Sequence, residues 1–207
     1  MNIALLFLTI VVTDCVEAHN FLILNDMHYE TNYTETCNLF YCADKGVYGK
    51  DSALNLIETV LDKAAKDSKK FDAVIIQGDF IRHGFDIGVD GLKFDDKVDT
   101  ILDMFKNLTT MVENKFPGIP ILPVFGNNDF STNYQTPANK SFHDEYYKRV
   151  LDAWFPADKN ELKDKETFKK GGFYSSSIDD SLEILSLNSL YFSRKNEQEE
   201  KYPVADT

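Results

Sequence analysis

Phe21-Leu22-Ile23-Leu24-Asn25-Asp26-Met27-His28 sets four consecutive apolar residues directly ahead of an Asp-x-His. So short an apolar run, stopped by Asn-Asp, predicts a buried strand. The construction recurs twice. Ala73 to Ile76 is a second such strand, running into Gly78-Asp79, and Ile121 to Phe125 is a third, running into Gly126-Asn127-Asn128-Asp129. Helical stripes lie between them. Ser52 precedes Leu54, Ile57, Leu61 and Ala64, and Val98, Ile101, Leu102, Phe105, Leu108 and Val112 keep the same three-and-four spacing until Pro117-Gly118. A further helix is expected over Asp144 to Trp154, a solvated Lys-rich loop over Pro156 to Gly172, and a fourth apolar strand over Leu182 to Leu187. Strand alternating with helix is the pattern of an α/β fold, a parallel sheet with flanking helices. In such sheets ligands bind outside the carboxyl ends of the strands. Three polar clusters placed there converge on one site, and their oxygen and nitrogen donors suit a divalent metal.

Composition sets the bounds. The chain has 207 residues, 43% hydrophobic and 27% charged, which fits one globular domain and excludes a fibre or a wholly disordered chain. Lys and Arg number 22 against 34 Asp and Glu, a formal net charge of −12. Such a chain repels a phosphate backbone except at a locally positive or metal-bearing site, so stable nucleic-acid binding is not expected.

Residues 1–18 read as a signal peptide, leaving 19–207 as one domain. Ile3 to Val12 is too short an apolar run to span a bilayer, which needs roughly 20 residues, and Val16-Glu17-Ala18 has small residues at a cleavage position. No other run is apolar enough for a transmembrane segment. The expected address is the secretory pathway, extracellular or lysosomal/vacuolar. Cleavage would leave Cys37 and Cys42, an even pair able to close one disulfide in an oxidising compartment or to stay as two thiols. Sequons at Asn32, Asn107 and Asn139 fit a glycoprotein.

The clusters carry a resemblance. Asp26-Met27-His28, Gly78-Asp79 and Gly126-Asn127-Asn128-Asp129, in order and about fifty residues apart, resemble the D-x-H, GD and GN-(H/N)-(D/E) motifs of the calcineurin-like metallophosphoesterases. Gly78-Asp79-Phe80-Ile81-Arg82-His83 resembles the GD-x-x-x-H of the acid sphingomyelinase-like phosphodiesterases. Gly126-Asn127-Asn128-Asp129 is similar to the endopolyphosphatases, and Leu185 to Phe192 resembles the strand and loop that follow in both. The resemblance covers residues 20–195 and implies a layered β-sheet core with flanking helices. It implies a hydrolase of phosphoester or phosphoanhydride bonds using two divalent metal ions, zinc first, with manganese, iron or magnesium as alternatives. The substrate would be a sphingomyelin-like lipid, a nucleotide or a polyphosphate.

By motif position Asp26 and His28 would bind the first metal, Asp79 would bridge both, and Asn127 would bind the second. Two such cations lower the pKa of a water for in-line attack on phosphorus and neutralise charge on the phosphoryl oxygens. Asn128 stands where most of the family has a proton-donating His and could give only an amide hydrogen bond to phosphate. His83 is then the remaining acid. The family completes its site with three later histidines, and this chain has none after His143. The expectation is the N-terminal part of a longer, incomplete domain, or a truncated product.

Plainer readings compete at each position. Asp26, Asn127 and Asn128 could be turn residues, Gly78-Asp79 a turn with a helix cap, and His83 a solvated loop histidine. Asp129 could cap a helix or stand behind the ligands, and His143 reads as a surface residue of its helix. For the whole molecule the alternatives are a non-catalytic secreted α/β protein holding at most one metal, and a phosphomonoesterase or nuclease of the same superfamily.

Overall fold

The computed structural model describes residues 18–31, 46, 50–66, 70–85, 94–137, 140–155, 162 and 165–197. Cys37, Cys42, the sequons at Asn32 and Asn139, and all of the expected leader but Ala18 lie outside them. Three parallel strands form the main sheet: β1 (Phe21–Leu24), β2 (Ala73–Gln77) and β3 (Ile121–Val124), in the order β1-β2-β3. Register pairs Leu24 with Ile76, and Gln77 with Val124, so all three strands end at one rim. Parallel neighbours need a crossover, and α1 (Leu54–Lys66) and α2 (Phe94–Lys115) supply them. Pro123 interrupts the donor row of β3, which suits a strand paired on one side only.

The six apolar positions of the α2 stripe are all buried, so the three-and-four spacing identifies the face turned to the sheet. Helix α3 (Lys140–Trp154) packs on α2 and brings Trp154 among Phe125, Phe105 and Phe80, at ring-centroid distances of 4.5, 4.9 and 5.4 Å. Aromatic pairs at these distances contribute about 0.5–1.5 kcal/mol each beyond burial.

The structure departs from the sequence reading at four places. β1, expected as a buried strand, buries only Leu24 and leaves Ile23 52% exposed, because it pairs with β2 alone and stands at the edge of the described sheet. The loop expected over Pro156 to Gly172 contains a short helix, α4 (Lys165–Gly171), because Phe168 is fully buried and anchors it while its lysines face outward. The fourth apolar strand is present as β5 (Glu183–Ser186), but it pairs antiparallel with β4 (Tyr174–Ser177) rather than joining the parallel sheet, and Leu185 is exposed. His143 is buried, not on the surface; its Nε2 lies 3.4 Å from Tyr191 Oη, in a network where Tyr191 and Tyr147 hydroxyls meet at 2.8 Å. Asn107 is exposed on α2, while Thr109 of the same sequon is buried and donates to Phe105 O at 2.8 Å.

Candidate metal centre

Past the ends of β1 and β2 the two segments meet again at His28 and Tyr29. His28 N donates to Asp79 O and Tyr29 N to Phe80 O, both at 2.8 Å, while Ser52 N donates to His28 O at 2.8 Å. This extension carries the Asp-x-His past the sheet rim and lays it beside the Gly-Asp. The backbone there is held in the left-handed region: φ is 52° at Asp26, 40° at His28 and 50° at Asp79. Such conformations cost non-glycine residues about 1–3 kcal/mol each and persist where surrounding structure enforces them. Tyr134 is the one other non-glycine residue with positive φ among the described residues.

The side chains converge. His28 Nδ1 donates to Ile81 O at 3.0 Å. A carbonyl can only accept, so Nδ1 carries a hydrogen and Nε2 is the ring nitrogen turned the other way. Nε2 lies 3.5 Å from Asp79 Oδ2 and 3.8 Å from Asp26 Oδ1. One imidazole nitrogen and two carboxylate oxygens are a donor set that suits a divalent cation. Donors around a tetrahedral zinc-type ion lie about 3.4 Å apart when each is about 2.1 Å from it, so the spacing and the donor chemistry fit a divalent metal. The Nδ1 tether to a backbone carbonyl is the kind of partner that fixes a metal-binding imidazole.

Asp79 is clamped from behind. Asn128 N donates to its Oδ1 at 2.9 Å and Asn128 Nδ2 to its Oδ2 at 3.0 Å. A methyl group on Gly126 would sit 2.1 Å from Asp79 Oδ1, and one on Gly78 2.3 Å from Gly126 N, so both glycines are required by close approach. Beneath them Asp129 is fully buried. Its Oδ2 accepts from Asp79 N and Gly126 N at 2.8 Å, and its Oδ1 from Phe80 N at 2.7 Å and Ile81 N at 3.3 Å. One carboxylate thus stitches the end of β2 to the end of β3. Burial pushes it up to about 7; Asp79 adds to the rise and the N–H groups oppose it.

The structure brings Asp26, His28 and Asp79 together and sets Asn128 against Asp79. Asn127 stands on the same turn, where its Nδ2 donates to Asn133 Oδ1 at 3.1 Å, leaving the amide oxygen as its ligand side. His83 stacks on His28, with ring centroids 3.8 Å apart. Sequence reasoning missed Asp51, whose Oδ1 lies 2.6 Å from His83 Nδ1, and left the depth of Asp129 open. No local signal marks Asp51; only the fold brings it to His83.

The model of the calcineurin-like phosphoesterases matches residues 19–205. The chain belongs to that family. Sphingomyelinase phosphodiesterase C of Dictyostelium discoideum is 28% identical over 153 residues, 74% of this chain and 32% of that protein. A cyclic GMP-AMP phosphodiesterase of Homo sapiens is 30% identical over 146 residues, 69% and 29% of the two chains. An endopolyphosphatase of Neurospora crassa is 32% identical over 180 residues, 82% and 24%. The chain therefore spans about a quarter to a third of the length of these curated relatives. Membership in a metallophosphoesterase family implies divalent metal ions, and candidate ligands are present. No described helix is long and apolar enough to cross a membrane.

Proposed function

We propose that this chain carries the metal-ligating front of a phosphoester hydrolase of the sphingomyelinase-like phosphodiesterase or endopolyphosphatase type. The observation that carries the reading is the convergence of His28 Nε2, tethered through Nδ1 to Ile81 O, with carboxylate oxygens of Asp26 and Asp79. Asp26, His28 and Asp79 would hold one ion, and Asp79 with the Asn127 amide oxygen a second, with zinc the first choice. Such ions activate water toward phosphorus and neutralise charge on the phosphoryl oxygens.

The chain's own groups do the rest. Asn128 holds the Asp79 carboxylate and Asp129 holds its backbone N–H, and Asn128 keeps a second amide hydrogen that a phosphate can use. His83 donates a proton from Nε2 to the leaving oxygen as the P–O bond breaks; a placed acid of this kind is worth about 10²–10⁴ in rate. The secretory leader over residues 1–18 and the single domain over 19–207 belong to the same reading.

The test is titration of the 207-residue chain with Zn²⁺ and Mn²⁺ by calorimetry, together with turnover of a chromogenic phosphodiester. Metal uptake that drops at least ~10-fold in Asp79→Ala and in Asp26→Ala, on the scale seen when the support of a metal site is removed, supports the assignment. Uptake unchanged in both variants would overturn it.

A further inference from the structure

We propose that Asp51 is a positioning residue for His83, holding its ring so that Nε2 is the nitrogen offered to the leaving group. The inference rests on the reaction proposed above and adds a residue that the motifs do not contain. Asp51 grips His83 twice: Nδ1 donates to Oδ1 at 2.6 Å, and the backbone N–H donates to Oδ2 at 3.2 Å. One carboxylate therefore fixes both the place of the residue and the direction of its ring. Asp51 is itself anchored through Ser52, which pairs with the strand extension by donating to His28 O at 2.8 Å and accepting from Glu30 N at 3.0 Å. The His28 ring bounds the third side, stacked at an interplanar angle of 26°. The His83 side chain is otherwise 67% exposed, so without these contacts nothing would select one rotamer.

His28, Asp51 and His83 lie close enough together to be considered as ligands of a further ion. The hydrogen bonds speak for a dyad instead. His28 Nδ1 is bonded to Ile81 O and its Nε2 faces Asp26 and Asp79, so it has no nitrogen left for a second ligand set.

The proton balance gives Asp51 its role. The bond from phosphorus to the leaving oxygen breaks, the electron pair stays on that oxygen, and the proton comes from Nε2 of a ring protonated on both nitrogens. What remains is the neutral ring with its hydrogen on Nδ1, the tautomer whose N–H Asp51 accepts. A free histidine side chain favours hydrogen on Nε2 instead, so the carboxylate orients the donor before transfer and stabilises the form left behind.

The experiment has two arms. Long-range ¹H–¹⁵N correlation spectra of the metal-free 207-residue chain, at a pH where imidazoles are neutral, report the tautomer of His83. Hydrogen on Nδ1 in the unsubstituted protein, moving to Nε2 in Asp51→Ala, is the expected result. Hydrogen on Nε2 in the unsubstituted protein overturns the proposal even if the variant fails to fold, and so does an unchanged Nδ1 tautomer in Asp51→Ala. In the second arm, kcat toward an alkyl phosphodiester falls about 10–100-fold in Asp51→Ala and about 100-fold in His83→Ala, with no further fall in the double variant, as a shared general acid requires. Toward a nitrophenyl ester, whose leaving group needs no proton, the falls are smaller. Additive losses overturn the positioning role. A chain without any turnover would sink the proposed reaction, while the spectra would still decide on Asp51.

Discussion

At the scale of single residues the site is decided by how closely two backbones approach. Gly126 and Asp79 occupy the same few ångströms, and Gly126→Ala puts a methyl 2.1 Å from a carboxylate oxygen and 2.3 Å from a backbone nitrogen. We expect metal affinity to fall about 10–100-fold and stability by about 1–3 kcal/mol, measured by calorimetry and urea unfolding. Gly118→Ala is the control. It meets nothing within 4 Å and has φ of +76°, so it should cost about 1–2 kcal/mol through the backbone alone and leave metal uptake unchanged. Asp26, His28, Asp79 and Asn127 stand out in the sequence because each follows an apolar run at a turn, and the structure brings the first three together. Asp51 was not, since its partner lies 32 residues on and nothing between them is patterned. Asp129 was half legible: its position was plain, but its burial under four N–H donors belongs to the meeting of two strands.

Elements with a continuous or evenly spaced apolar run are legible as elements, though β1 buries only Leu24 of its four, and those built around one anchor are not. β1, β2, β3, α1 and α2 announce themselves by uninterrupted or three-and-four apolar spacing. α4 hides a single Phe168 among lysines, and β4 is Tyr-Ser-Ser-Ser, whose alternation of buried and part-buried residues appears only once Tyr174 donates to Pro123 O at 2.8 Å. Phe168→Ala should cost about 3–5 kcal/mol, read as a lower urea midpoint; a change below ~1 kcal/mol would show that α4 is not anchored by that ring. The tyrosines that tie α3 to the segment after it make a second prediction. Burial raises the phenols of Tyr146 and Tyr147 well above their ordinary range, and pushes Tyr191 up to about 12. Unfolded phenols ionise near pH 10 (about 10 in model peptides), so the stability these neutral groups contribute is intact below that pH and is lost as pH climbs toward 12. Tyrosinate absorbance should therefore rise in two steps, the later one coincident with loss of ellipticity.

Taken whole, the molecule sets a strong negative charge against exposed apolar surface. Leu185 and Leu187, two residues apart and so on one side of the chain, are 68% and 66% exposed, and Phe192 is 75% exposed. A net charge of −12 keeps copies apart at low ionic strength, and salt screens that repulsion over about 10 Å at 0.1 M. Self-association measured by sedimentation should rise with added salt and be reduced by Leu185→Ser with Leu187→Ser; equal association in that variant would place the contact elsewhere. The stitching of β2 to β3 by Asp129 has a consequence in time. His28 reaches Ile81 across 53 residues and Asp79 reaches Asp129 across 50, so the cradle cannot exist until Asp129 has been synthesised. At 5–20 residues per second that is roughly 5–20 s after Asp26 has been added. Until then Asp26 and His28 are two loose side chains on a nascent strand, with no shared geometry to offer an ion. For an ion held as proposed above, the full set of ligands and their supports is therefore on offer only from that moment on, and not to the first strand alone.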